Sequence, residues 1–154
     1  MSATSAGILA FRKKSGKIEV LLVHPGGPFW RNKDLGAWSI PKGEYGPKED
    51  PEVVARKEFR EEVGFEIAGE LFPLDHVRQR GGKTVKAFAV ETDVDVQNVQ
   101  SNMFEIEWPP RSGKRRAFPE VDRAEWFDLT SARTKINEGQ RALLDRLELL
   151  APGP

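Results

Sequence analysis

The sequence predicts an α+β domain in which a mixed β-sheet is covered by helices on both faces. Three observations predict it: short runs rich in Val, Ile, Leu and Phe recur along the chain, helix signals interrupt them only twice, and most strand-to-strand links are of hairpin length. A doubly wound parallel sheet would need a long crossover after nearly every strand. The 154 residues, 38% of them hydrophobic, suit a single domain over residues 1–154, with no internal repeat or low-complexity segment to suggest a second.

Residues 5–12 and 17–24 read as two strands joined at Ser15-Gly16. Pro25-Gly26-Gly27-Pro28 breaks the second, and Phe29 to Asp34 is too aromatic for a linker, which makes it a loop over a site. Residues 38–40 are expected as a short strand, with Pro41-Lys42-Gly43 turning into an acidic loop. Asp50 before Pro51 is N-cap chemistry with proline at the first helical position, and Gly64 is a stop, so a helix spans about residues 51–63. Strands are expected at 65–68, 75–80, 84–92 and 103–108, with Gly81-Gly82 as a turn. Residues 109–116 form a basic loop, 125–129 a short strand, and 131–150 mostly helix, closing on a frayed Pro152-Gly153-Pro154. Phe72 and Trp126 are expected in the core, and His24 and His76 as strand residues with local hydrogen bonds.

Lys plus Arg equals Asp plus Glu, but the charges are segregated. Between Gly43 and Glu70 nine acids (Glu44, Glu49, Asp50, Glu52, Glu58, Glu61, Glu62, Glu66, Glu70) face four bases (Lys48, Arg56, Lys57, Arg60), whereas residues 111–116 hold four bases and no acid. On the helix, with Glu58 at zero, Glu62 falls near 40° and Glu61 near 300° at about 100° per residue. Val54, Ala55, Phe59 and Val63 flank this face instead of opposing it, which is wrong for an ordinary solvated helix. Carboxylates crowded beside a core face repel one another unless a cation lies between them, and Mg²⁺ or Mn²⁺ would suit an oxygen donor set. With no cysteine and two histidines, thiolate sites are excluded and oxygen ligation is favoured.

The spacing Gly43, five residues, Glu49, seven residues, then Lys57-Glu58-Phe59-Arg60-Glu61-Glu62-Val63-Gly64-Phe65 resembles the Nudix box, G-x5-E-x7-R-E-U-x-E-E-x-G-U, at every fixed position but one. The exception is Lys57, where that family has arginine. Trp38 to Gly43 and the Glu125-Trp126-Phe127 strand are also similar to the family. The resemblance implies a Nudix fold, an α/β/α sandwich on a mixed sheet with the box as loop-helix-loop. It implies Mg²⁺-dependent hydrolysis of a pyrophosphate bond in a nucleoside diphosphate linked to another moiety. Glu58, Glu61 and Glu62 would hold the metal, with the Gly43 carbonyl a further ligand. The general base would be Glu58 or Glu61 within the box, or Glu120 outside it. Lys57 cannot reproduce arginine's bidentate fork, yet reaches Glu61 at i,i+4 as a point charge.

For the substrate, Lys42 could touch a phosphate, and Arg111, Lys114, Arg115 and Arg116 would suit a long polyphosphate chain such as that of a dinucleoside polyphosphate. Trp30, Trp38 and Trp108 could stack on a base. The partner is thus a phosphorylated small molecule. Zero net charge with one basic cluster argues against duplex nucleic acid. A non-catalytic nucleotide sensor on the same fold is the alternative, against which the intact glutamates stand. No stretch is long and apolar enough for a membrane span, and residues 1–6 lack the pattern of a signal peptide, so a cytoplasmic location is expected.

Overall fold

The computed structural model describes residues 3–150; the expected frayed end at Pro152-Gly153-Pro154 lies outside them. The first hairpin forms as expected. Strands β1 (Thr4–Lys14) and β2 (Lys17–Pro25) are joined through Ser15 and Gly16, both at positive φ, the turn geometry that matches the twist of a two-residue hairpin. They pair only at their tips, between Phe11 and Lys14 on β1, and then splay. The gap is filled by β3 (Lys42–Glu44), which registers antiparallel on Ser5 to Gly7.

The strand expected at 38–40 is thereby displaced to 42–44. Backbone partners explain the shift: Ser39 exchanges bonds with Val23, Trp38 N–H donates to Lys135 O and Ile40 N–H to the Gln140 side chain, so three neighbours share what one ladder would supply.

Helix α1 (Pro51–Val63) has the expected bounds. No strand follows at 65–68, because the Arg56 guanidinium takes up the carbonyls of Ile67 (2.9 Å) and Gly69 (2.7 Å) that a neighbouring strand would otherwise satisfy. Next come β4 (Phe72–Arg78), β5 (Thr84–Glu91), β6 (Met103–Glu107), β7 (Arg115–Pro119) and β8 (Val121–Asp128). Arg115 and Arg116 therefore lie on a strand, and the basic loop shrinks to its tip. The carboxy-terminal helix is broken into α2 (Leu129–Lys135) and α3 (Arg141–Leu150), because Asn137 N–H is drawn onto Trp38 O and the Asn137 side chain caps the turn at Gly139.

The main sheet runs β4-β5-β1-β2-β8, with β3 beside β1 and the β1–β5 pair parallel. It is mixed, as expected. Alternation along β1 sends Ala6, Ile8 and Ala10 to a core under α1, and Leu9 and Phe11 to a core under α2 and α3. Helices thus cover both faces. Strands β6 and β7 form a separate two-stranded ribbon. Phe72, expected in the core, is 40% exposed on edge strand β4, and Trp126 is half-buried with its indole N–H on Val94 O.

Candidate functional site

Helix α1 is held in place from both ends and along one stripe. The Asp50 carboxylate accepts from Glu52 N–H at 3.0 Å, Gly64 closes the helix at φ 87°, and Val54, Ala55, Phe59 and Val63 are buried against the sheet. Fully burying a side chain of the Phe59 kind stabilises by about 1.5–3 kcal/mol. That stripe fixes the rotation of the helix, and the rotation leaves Glu58, Glu61 and Glu62 half-buried at its border.

Each glutamate then meets a different partner. Glu58 lies against Gly43 on β3: a Cβ built there would stand 2.1 Å from the Glu58 carboxyl carbon, so only glycine admits the carboxylate. Glu62 accepts from Lys42 N–H at 3.2 Å. Glu61 has Lys57 Nζ at 4.0 Å, the i,i+4 contact expected of that lysine. Glu120, between β7 and β8, is carried to the same place by its backbone, with Glu120 N–H on Asn102 O (2.8 Å) and Asn102 N–H on Glu61 O (2.9 Å).

The electrostatics report the crowding. Burial, then the charge of Glu61, pushes the Glu58 carboxyl up; burial, then Glu58, pushes Glu62 up to about 8; burial, then Glu61, pushes Glu120 up. Burial also lowers the Lys42 ammonium, against the pull of Glu62. A cation among these carboxylates would relieve their mutual repulsion.

The donors fit a hard divalent ion. They are carboxylate oxygens only, and Gly43 leaves space for one to press against the strand. Among the described residues no three acidic or histidine side chains are gathered closely enough to hold a metal ion by themselves. An open donor set suits Mg²⁺, which keeps several waters and binds through one or two carboxylates and a substrate's phosphates.

Other expected residues fall elsewhere. Trp38 is 1% exposed, in the core under α2 and α3, edge-on to Phe127 and His24 with its N–H on Asp34, so it cannot stack on a base. Arg111 and Lys114 occupy the tip of the β6–β7 ribbon, and Arg115 and Arg116 the strand leading from it. Glu120 sits at the ribbon's base, five paired positions away, roughly 16 Å at 3.3 Å per residue. Arg111, Lys114 and Arg115 therefore stand away from Glu120, whereas the Arg116 guanidinium lies 5.3 Å over the Phe118 ring, two residues from Glu120. Phe29 packs edge-on to Trp108 at 5.5 Å, and Trp30, part-exposed, has Lys33 Nζ 5.1 Å over its ring. His24 is a buried structural residue, bonded to Asp122 (2.9 Å) and Lys33 O (2.6 Å), and His76 pairs with Asp75 at 2.9 Å.

Sequence reasoning missed two contributions. The Glu49 side chain accepts from Gly46 N–H at 2.8 Å, folding the acidic loop toward Glu58, whose carboxyl feels its charge; the box spacing had marked the position. The 100–102 segment docks on the end of α1, with Gln100 N–H on Val63 O, and thereby places Glu120. A backbone dock of this kind leaves no side-chain signature in the sequence.

The NUDIX domain family model matches residues 1–147. No curated protein sequence matches the chain. Among solved structures, an Ap4A hydrolase binary complex from C. elegans superposes at TM-score 0.65 with 24% identity, covering 96% of each chain. The NUDIX domain of Shewanella oneidensis NrtR, complexed with ADP ribose, superposes at TM-score 0.64 with 15% identity, covering 98% of this chain and 90% of that one. The C-terminal domain of mouse MUTYH, in complex with human PCNA, gives 0.62 and 18%, covering 100% and 92%. At these identities the superpositions speak to the fold.

Proposed function

The chain belongs to the NUDIX domain family, a pyrophosphohydrolase on that account, and from this premise we propose that it hydrolyses a pyrophosphate bond in a nucleotide linked to a further moiety, with Mg²⁺ as its metal. The observation that carries the reading is the grouping of Glu58, Glu61, Glu62 and Glu120, each near enough to feel or impose a neighbour's charge, with Glu58 packed against Gly43. One similar structure is named an Ap4A hydrolase and another is complexed with ADP ribose; both compounds contain a nucleoside diphosphate carried on another group, which supports that substrate class.

Glu58, Glu61 and Glu62 would hold the metal, with the Gly43 carbonyl as a further donor. A bound divalent ion supplies neutralisation of the pyrophosphate oxygens and a lowered pKa for bound water. Lys42, at the join between β3 and the end of α1, would meet a phosphate oxygen with its ammonium. Glu120 would take the proton of the attacking water: its raised pKa makes it a better base than an ordinary surface glutamate, and its backbone anchoring holds it beside Glu61. The intact glutamates favour catalysis over a purely nucleotide-sensing role.

Mass spectrometry of products formed in ¹⁸O-water, across nucleoside triphosphates, dinucleoside polyphosphates, sugar nucleotides and inositol pyrophosphates, names the substrate and the cleaved bond. Glu61→Gln should abolish turnover while the fold stays intact. Full activity of that variant would remove Glu61 from the reaction, and ligand binding without turnover by the parent chain would favour a sensor.

A further inference from the structure

The loop that follows β2 and the β6–β7 ribbon form one arm rooted at Glu120. Gly26 N–H donates to Glu120 O at 2.9 Å, and a Cβ at Gly26 would stand 2.0 Å from Pro119 O, so only glycine lets the two backbones meet. Gly27, at φ 96°, brings the next turn against Phe104, whose ring would stand 3.0 Å from an added Cβ. Phe29 then packs edge-on to Trp108. The ribbon's register pairs Phe104 with Phe118 and Ile106 with Arg116, which puts these four side chains, and by the same alternation Trp108, on one face. The loop lies along the β6 half of that face, and Arg116 and Phe118 hold the β7 half.

Two features of this arm call for a ligand. The first is aromatic surface held in water: Phe29 is 64% exposed and Trp30 40%. The loop that carries them is fixed, since Lys33 N–H donates to Trp30 O at 3.0 Å and Asp34 anchors the far end through the Trp38 indole N–H and Lys135. The second is a pair of cations laid on rings. Lys33 Nζ lies 5.1 Å over Trp30, and Arg116 leans along its strand toward Glu120, its guanidinium 5.3 Å over Phe118. Among the described residues neither cation is within ion-pair distance of a carboxylate. Burial and Glu61, but no cation, set the Glu120 carboxyl, so Arg116 is not spent on it. Exposed rings beside unpaired cations match a ligand that is itself a flat ring joined to an anion. A nucleoside phosphate has both parts; an apolar peptide would leave the cations unanswered, and a bare polyphosphate would leave the rings.

We infer that this arm holds the nucleoside end of the substrate, with the base stacked on Trp30 and Arg116 on a phosphate of the chain that leads from the base toward Glu120. Arginine's planar donor fork takes phosphate oxygens in pairs. Stacking accepts any base, because every base has a π-face, so the arm selects for a nucleoside and not for one particular base. The kinetic consequence rests on the pyrophosphohydrolase reading; the binding does not.

AMP, adenosine and ribose 5-phosphate, titrated into the full chain with Mg²⁺, separate the two contacts without any turnover. AMP should quench tryptophan emission and ribose 5-phosphate should not; Trp38 is in the core and Trp126 half-buried, so the quench reports the arm. Trp30→Phe should lose the quench while keeping AMP affinity close to the parent's by calorimetry. Trp30→Leu should weaken AMP binding by about tenfold, as loss of one stacked base does. Arg116→Gln should weaken AMP by about tenfold yet leave adenosine unaffected, with Arg116→Lys restoring part of the loss. No AMP binding up to millimolar concentration, equal binding of AMP and ribose 5-phosphate, a quench that survives Trp30→Phe, or an equal loss of AMP and adenosine in Arg116→Gln overturns the inference. Trp30 is part-exposed and Arg116 exposed, so the variants should fold, which circular dichroism checks.

In turnover, the parent's preference in kcat/KM for the nucleotide pyrophosphate it cleaves over inorganic tripolyphosphate should fall by about tenfold in Trp30→Leu, through KM. An unchanged preference counts against the arm. AMP binding with its quench, but no turnover of any nucleotide pyrophosphate, would keep the arm and sink the hydrolase reading. Turnover with AMP binding indifferent to Trp30 and Arg116 would do the reverse.

Discussion

Gly43 and Glu58 make one unit of the site, and each is intelligible only through the other. The carboxylate occupies the volume where any side chain at position 43 would have to begin. Gly43→Ala should therefore leave α1 folded on its buried stripe while turning Glu58 out of place, and kcat/KM should fall by about a hundredfold, as a displacement of about 1 Å can cost. Unchanged kinetics, with circular dichroism confirming the fold, would mean that Glu58 does not act from the position it holds. Lys57 stands differently. Its ammonium is 4.0 Å from Glu61 and half-exposed, a point charge in solvent reach with an interaction worth about 0.3–0.5 kcal/mol. Lys57→Arg should keep activity within about an order of magnitude, and complete loss in steady-state assays would show that this lysine aligns Glu61 in a way arginine cannot.

At the scale of elements, the loop of residues 25–36 is pinned at its far end by Asp34, whose carboxylate takes the Trp38 indole N–H at 2.8 Å and pairs with Lys135. The Lys135 hydrogen bond, then that of Trp38, holds the Asp34 carboxyl below its ordinary value near 3.8. A depressed carboxyl pKa contributes stability that is present above the unfolded value and lost as pH falls through the folded one. The stability gap between the parent chain and Asp34→Asn, followed by urea unfolding, should be flat from about pH 5 to 7 and shrink below about pH 4; a gap that holds steady to pH 3 would remove the pinning role. How well each element could be read from sequence follows the same physics. Helix α1 was legible to the residue because its signals are local: the Asp50 cap, Pro51, Gly64 and the apolar stripe all lie within fifteen positions. The first hairpin was legible through Ser15-Gly16. Residues 38–40 and 65–68 were misread because their backbone partners are distant in sequence, Lys135 and Gln140 for the one and the Arg56 side chain for the other. The carboxy-terminal helix reads as continuous by periodicity, and is broken by a tertiary bond from Asn137 to Trp38 O. In the site, the carboxylates of α1 were legible through helical spacing, while Trp38 was misplaced because an aromatic beside a glycine-rich motif looks the same whether it faces solvent or core.

The molecule as a whole is a sheet with a core on each face, and the proposed chemistry lies at the border of α1. Two well-packed cores let that border carry several carboxylates that burial and mutual repulsion disfavour as ions. The strain falls on the whole fold, since α1 cannot rotate away without exposing Phe59 and Val63. A divalent cation should therefore stabilise the entire chain and not only order a loop. Binding to the native state alone raises stability by RT ln(1 + [L]/Kd), about 2.7 kcal/mol at a hundred times Kd. For a domain of this length each kcal/mol moves Tm by about 2–4 °C, so saturating Mg²⁺ should raise Tm by about 5–10 °C over chelator-treated protein. Glu61→Gln should remove most of that rise, and because one buried-edge charge is gone, its Tm in chelator should match or exceed the parent's. Calorimetry of both proteins with Mg²⁺, Mn²⁺ and chelator compares the six states directly. A parent Tm indifferent to both ions, or a Glu61→Gln variant that retains the full shift, would place the metal away from these glutamates and leave their crowding without a function.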